Sequence, residues 1–252
     1  LCIGGEWREG GVTHRSAKVF ALSYASGKIT IDENYPPLPK STTAAAGALI
    51  GNTIYITGGD SGQGATLNFW SLDLAKRDAE EFEWKELTPW NGPARTHLLA
   101  ASQNDGSADC LYIFSGRMKD SKGQWHMLSD AHKYNPKSGK WKKVSDIQAK
   151  EDTQPRCVMA GTTTSVGTNS LLLFGGADGK RFITLESLSA QIAAAKAAGN
   201  QQAAADLNVE KQKIQDAHDG FSRDILLYNT VTEQWRKFAN FKEGSRSATA
   251  PG

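Results

Sequence analysis

The stretch Leu111-Tyr112-Ile113-Phe114-Ser115-Gly116 decides the fold, because its pattern, an apolar β run stopping at two small residues, occurs three more times. The copies are Leu1-Cys2-Ile3-Gly4-Gly5, Thr53-Ile54-Tyr55-Ile56-Thr57-Gly58-Gly59 and Leu171-Leu172-Leu173-Phe174-Gly175-Gly176. Their final glycines fall at 5, 59, 116 and 176, giving intervals of 54, 57 and 60 residues. A recurring period near 50 marks repeat units rather than ordinary domains.

Counting outward from each glycine finds the rest of the unit. Trp84 and Trp141 both lie 25 residues after Gly59 and Gly116, Thr30 takes that place in the first unit, and Trp235 comes 59 residues after Gly176. The last unit therefore holds an insertion of about 34 residues. Between glycine pair and tryptophan a further strand ends in turn formers such as Asn135-Pro136 and Ser138-Gly139,. The clearest copy reads as four strands, about 95–103, 110–114, 130–135 and 140–144, and four-stranded units of this length pack radially as propeller blades,. The glycine pair suits a backbone that passes close to its neighbour with φ > 0, and the tryptophan is large enough to cover the seam between blades.

The expected fold is all-β, a propeller with blades at about 1–40 (partial), 41–92, 93–152, 153–243 and 244–252 (partial). Three full and two partial blades leave an open arc, whereas a ring of this period needs about six. The missing blades are expected from the rest of a longer chain or from another polypeptide. Residues 184–219 differ in kind, with Leu185, Leu188 and Ile192 at helical spacing, Thr184 as a cap and Gly199-Asn200 as a break,. They read as a helical hairpin, either a lid over the axis or a packing decoration.

Composition excludes several classes of function. A net charge of +2, from 29 basic and 27 acidic residues, offers nothing to nucleic acid, and no 18-residue apolar stretch exists to span a membrane,. Cys2, Cys110 and Cys157 lack metal-ligand spacing and read as buried free thiols,. No metal is expected.

In kelch propellers, whose repeat this glycine-pair and tryptophan frame resembles, the segment after the glycine pair and the loop leading into the innermost strand share one rim. The first supplies Glu6, Asp60, Arg117 and Asp178, and the second supplies Arg95, His97, Arg156 and Arg246. Arginines can ring a carboxylate-bearing ligand; equally, each can cap a loop or pair with an acid. On a period-2 strand an inward Arg95 would bring His97 inward with it. Glu6 is the acid/base candidate of this set, while Trp7 and Trp125 lie in loops where they can stack on a ligand or simply pack.

The Gly-Gly, Tyr/Leu-Asn and Trp frame resembles the kelch repeat over nearly the whole chain outside the insertion. More narrowly, Asp130-Ala131-His132-Lys133-Tyr134-Asn135-Pro136-Lys137-Ser138-Gly139-Lys140-Trp141, followed by a Gly-Gly blade with a long helical insertion, is similar to the N-acetylneuraminate epimerase family. The unit like Leu1 to Leu38 would come last there and comes first here, as in the family's cyclically permuted branch. The resemblance implies a sialic acid mutarotase that interconverts α and β anomers by general acid/base catalysis in an axial pocket, without cofactor, and favours a periplasmic or secreted location. Opening the hemiketal needs one group to take the anomeric hydroxyl proton, another to protonate the ring oxygen and a cation for the C1 carboxylate. The family's glutamate and arginine are expected beyond Gly252, which leaves Glu6 as catalytic candidate and Arg95, His97, Arg117, Arg156, Arg246 and Asp60 as substrate-binding candidates. The alternative is a non-catalytic kelch module that binds a protein or glycan. A copper oxidase is disfavoured, since no grouping of two tyrosines and two histidines stands out.

Overall fold

Each repeated apolar run becomes a strand of its own antiparallel sheet in a computed structural model that describes residues 1–218 and 220–241. The first sheet joins β1 (Cys2–Ile3), β4 (Val19–Ala25) and β5 (Lys28–Asp32), with the hairpin β2 (Glu6–Glu9) and β3 (Val12–Arg15) rising between β1 and β4. The second contains β6 (Thr43–Ile50), β7 (Thr53–Asp60), β8 (Phe69–Asp73) and β9 (Lys85–Glu86) in that order. The third places β10 (Leu99–Asn104), β11 (Asp109–Phe114), β14 (Ala131–Asn135) and β15 (Lys140–Val144) side by side, with the hairpin β12 (Arg117–Lys119) and β13 (Trp125–Met127) between β11 and β14. The fourth is β16 (Thr162–Val166), β17 (Ser170–Phe174), β18 (Asp224–Asn229) and β19 (Gln234–Asn240). Helices α1 (Lys180–Ala197) and α2 (Gln201–Asp216) stand where the other blades have hairpins or a loop.

Burial explains why these strands are apolar on both faces. Leu111 and Ile113 of β11 face Tyr55, Phe69 and Trp90 of the preceding blade, while Cys110, Tyr112 and Phe114 face Leu171, Leu173, Tyr228 and Trp235 of the following one. The period of two thus feeds two seams from one strand. At about 1.5–3 kcal/mol for each large side chain removed from water, these seams are the main cohesion between blades. At the first sheet one face is uncovered, and Leu22, Tyr24, Ile29 and Ile31 stay 50–76% exposed.

The seam tryptophans also carry a directional hydrogen bond. Trp84, Trp141 and Trp235 donate their indole N–H to the carbonyls of Pro36, Thr88 and Ser145 at 2.9, 3.0 and 3.2 Å, each on the connector that leaves the preceding blade.

The small-residue pairs exist for backbone reasons. The first member has φ of 68, 70, 58 and 64° at Gly4, Gly58, Ser115 and Gly175, and a Cβ on Gly176 would sit 2.5 Å from the Val158 carbonyl oxygen,. Ser115 is the one non-glycine. Its hydroxyl accepts the Val158 N–H at 2.8 Å and donates to Leu128 O at 3.0 Å, which offsets the left-handed strain,.

A second left-handed set had no glycine to reveal it. Ala44, His97 and Ala160 have φ of 51–55°, and the chain links them by backbone bonds from His97 N–H to Ala44 O (2.9 Å) and from Ala160 N–H to His97 O (2.8 Å). This kink is why the innermost strand of the third blade starts at Leu99 and not at 95. The helical segment likewise starts earlier than 184: Asp178 accepts the Lys180 N–H at 3.0 Å beside left-handed Gly179, while Thr184 donates back to Lys180 O at 3.1 Å from inside the helix,. Asn200 caps α2 through the Ala203 N–H at 3.0 Å, and Leu188, Ile192 and Ala204 are the buried residues of the two helices. Among the described residues no helix is long and apolar enough to cross a membrane.

Candidate functional site

The bridges Thr43↔Asp60, Thr96↔Arg117 and Met159↔Ala177 set a common register, so Glu6, Asp60, Arg117 and Ala177 hold the same place after their pairs. Asp178 lies one residue past it. From that place four different connections leave: the β2–β3 hairpin, a short loop, the β12–β13 hairpin and the two helices.

At Arg117 the connection meets a neighbour that stacks aromatic rings against it. Helix α1 leans on the β12–β13 hairpin, putting the Phe182 ring centroid 3.9 Å and the Trp125 ring centroid 5.2 Å from the Arg117 guanidinium carbon. Phe182 and Trp125 meet edge to face at 4.8 Å, and the Trp125 indole N–H donates to Glu186 Oε2 at 3.1 Å. Beside them opens a cavity of about 1290 Å³, lined among others by His97, Arg117, Arg156, Cys157, Phe182 and His218.

Among the described residues no carboxylate pairs with Arg117, and its buried Nε finds no acceptor. Burial weakens its hold on its proton, partly opposed by the charge of Glu186. A half-buried cation without a counter-ion is costly, so an anion entering the cavity would gain most of a charge-assisted bond.

His97 is its neighbour, with Nε2 3.4 Å from Arg117 Nη2. A guanidinium can only donate, so Nε2 accepts and Nδ1–H donates to Thr96 Oγ1 at 3.0 Å,. Burial first, and the Arg117 charge second, push the imidazole down to about 4, against a smaller upward pull from Asp60. The ring is therefore neutral at ordinary pH. Arg95 does not accompany it: the segment is a kinked connection and not a strand, so residues two apart do not share a face.

Arg95 is fully buried, gripping Asp130 with both arms at 2.8 and 2.7 Å and donating to Ser115 O at 3.0 Å. His132 Nε2 lies 2.8 Å from the same carboxylate. Burial raises the Asp130 carboxyl, but the hydrogen bonds of His132 and Arg95 prevail and hold it well below the usual carboxylate range. Arg95 does not reach the cavity wall. Arg156 does, held by Asp152 and, at 2.6 Å, by Asp224. It stands four residues before Ala160, whereas Arg95 stands two before His97, so the arginines do not form an equivalent set.

Glu6 is exposed on β2, 3.9 Å from Arg15, and Asp60 receives the Gly62 and Gly64 amides at 2.6 and 3.3 Å with Arg15 3.6 Å away; neither lines the cavity. Arg246 lies outside the described residues. Sequence reasoning did not find Phe182 or Glu186. Their spacing of four on one helix face was the available signal, but nothing local says which hairpin that face meets. Among the described residues no group of three or more His, Cys, Asp or Glu could hold a metal ion; Cys110 and Cys157 are the buried free thiols expected, whereas Cys2 is free but only half-buried.

Residues 35–250 match the family model described as N-acetylneuraminate epimerase. The N-acetylneuraminate epimerase of Haemophilus influenzae (strain PittEE) is 29% identical over 219 residues, covering 86% of this chain and 52% of that protein. That of Pasteurella multocida (strain Pm70) is 30% identical over 224 residues, with 86% and 51% covered. The chain thus spans about half the length of the curated relatives it matches. A solved structure named "Structure of YjhT" superposes with a TM-score of 0.61 at 21% identity, over 83% of this chain and 55% of that one, which supports the propeller fold.

Proposed function

We propose that this chain, which belongs to the N-acetylneuraminate epimerase family, supplies the carboxylate-binding side of a mutarotase interconverting the α and β anomers of N-acetylneuraminate. The observation that carries this reading is Arg117, a half-buried guanidinium with no carboxylate partner among the described residues, facing a cavity large enough for a nine-carbon sugar acid,. With the C1 carboxylate on Arg117, the anomeric carbon is the next atom along. Its hydroxyl then comes within reach of His97 Nε2, which is an acceptor and neutral. As that hydroxyl gives up its proton, the bond from the anomeric carbon to the ring oxygen breaks, and the ring oxygen takes a proton from a second group. Reclosure on the other face of the ketone returns the opposite anomer. The second group is expected outside the described residues, where the resemblance puts the family's glutamate.

Charge complementarity also ties binding to basicity. Arg117 is a principal reason, after burial, that His97 is a weak base, and a bound carboxylate cancels part of that charge,. His97 therefore becomes a better proton acceptor when substrate is seated. The location that accompanies this reading is the periplasm, where sialic acid freed outside the inner membrane would be met.

The test is proton NMR of freshly released α-N-acetylneuraminate as it equilibrates with the complete protein. Equilibration faster than buffer, and lost in Arg117→Gln, is the expected result. A rate equal to buffer overturns the catalytic reading, and tight binding without acceleration would instead favour a glycan-binding module.

A further inference from the structure

Arg117 stays unpaired although a carboxylate is close by. Glu186, one turn along α1 from Phe182, is near enough for its charge to act on the guanidinium, yet no ion pair joins the two among the described residues. What holds it instead is the neighbouring hairpin: Glu186 Oε2 accepts the Trp125 indole N–H at 3.1 Å. Trp125 is fixed in turn, its ring edge-on to Phe182 at 4.8 Å, with Lys119 Nζ 5.2 Å from its centroid. A carboxylate on a helix has rotamers to choose from, and pairing with a half-buried Arg117 would be the more favourable partnership if nothing competed.

We infer that Trp125 is a positioning residue: its indole N–H holds the Glu186 carboxylate off Arg117 and so keeps the guanidinium open to an incoming sugar carboxylate. This rests on the reading of Arg117 as the carboxylate anchor. It gives the helical insertion a definite part in the site, because α1 brings both the ring that covers Arg117 and the acid that would neutralise it. The hairpin then supplies the one donor that sets that acid aside. Without the N–H, Glu186 becomes an internal competitor for the ligand's place.

The test compares the wild-type chain with Trp125→Phe, Glu186→Gln and the double variant. Phenylalanine keeps an aromatic ring but removes the donor. N-acetylneuraminate affinity by calorimetry is expected to fall about tenfold in Trp125→Phe and to return to the wild-type value in Trp125→Phe/Glu186→Gln. Glu186→Gln alone should bind no more weakly than wild type. Rescue by removing a second group is not what a merely structural loss would give. An affinity that falls in Trp125→Phe and is not restored by Glu186→Gln overturns the proposal, as does an unchanged affinity.

A second readout needs no sugar. His97 faces Arg117, Thr96 and, more distantly, Asp60, so pairing of Arg117 with Glu186 relieves the charge that opposes imidazole protonation. Titration of the His97 ring by NMR should therefore move up from about 4 in Trp125→Phe and come back in the double variant,. If the wild-type chain binds no N-acetylneuraminate, the functional reading fails on its own, and this titration still decides whether Trp125 holds Glu186 off Arg117: a midpoint that moves and returns supports that positioning role, and one that does not move overturns it.

Discussion

Arg95 and Arg117 belong to one blade and meet at one bridge: the Thr96 backbone, next to Arg95, exchanges two 2.9 Å hydrogen bonds with that of Arg117. They differ in everything that follows from partnership. Arg95 is sealed between blades with Asp130 in a fork, whereas Arg117 has two aromatic rings, a neutral histidine and an open cavity. A buried cation that finds its anion inside the chain is compensated, and the fold is penalised only if that pair is broken. One that finds none is destabilising by itself and available to an anion from outside.

The sharpest way to break this contrast is at Asp130. Asp130→Asn leaves the Arg95 charge without compensation and should lower stability by about 3–5 kcal/mol in urea denaturation. A loss under about 1 kcal/mol would mean that the fork does not matter. Arg117→Met should do the reverse, leaving stability unchanged or slightly higher while N-acetylneuraminate affinity falls about a hundredfold by calorimetry.

The next effect is one of pH. The folded-state value of His97 lies near 4, below its ordinary 6.5, so the unfolded chain binds more protons between those limits and stability must fall as pH falls through that window,. The contribution is on the order of 2 kcal/mol after allowance for partial solvent access. His97→Asn, which tolerates a left-handed backbone, should flatten the slope of stability against pH. The smallest effect belongs to Glu6→Gln: an exposed pair such as Glu6 with Arg15 contributes under about 0.5 kcal/mol, and sugar affinity should change less than twofold. Loss of turnover there would instead return Glu6 to the acid role.

The propeller was readable because its cues are local and repeat: a strand, two small residues, and a tryptophan at fixed distance. The helices were readable from a change in period. The site was less so, for a physical reason. Whether an arginine is structural or receptive depends on a partner far along the chain, and Asp130 stands 35 residues from Arg95. His97 was singled out for a side-chain alternation that the backbone does not follow; its aim comes from a left-handed kink shared with Ala44 and Ala160, which are chemically ordinary residues. Arg156 resembles Arg95 in residue type and in following a proline-containing turn but is displaced by two positions. That displacement becomes visible only from cross-strand pairing.

The tryptophan clasps all point one way. Trp84, Trp141 and Trp235 reach carbonyls 48, 53 and 90 residues earlier in the chain. During synthesis each blade is therefore fastened by the next one to emerge, and the newest blade always presents an unfastened apolar side. The blade carrying the helices waits longest to deliver its tryptophan, because the whole insertion must leave the ribosome first. Until that blade emerges, the Tyr112 and Phe114 side of β11 has no apolar partner to cover it, so the length of the insertion sets how much chain must be made before this seam can close,.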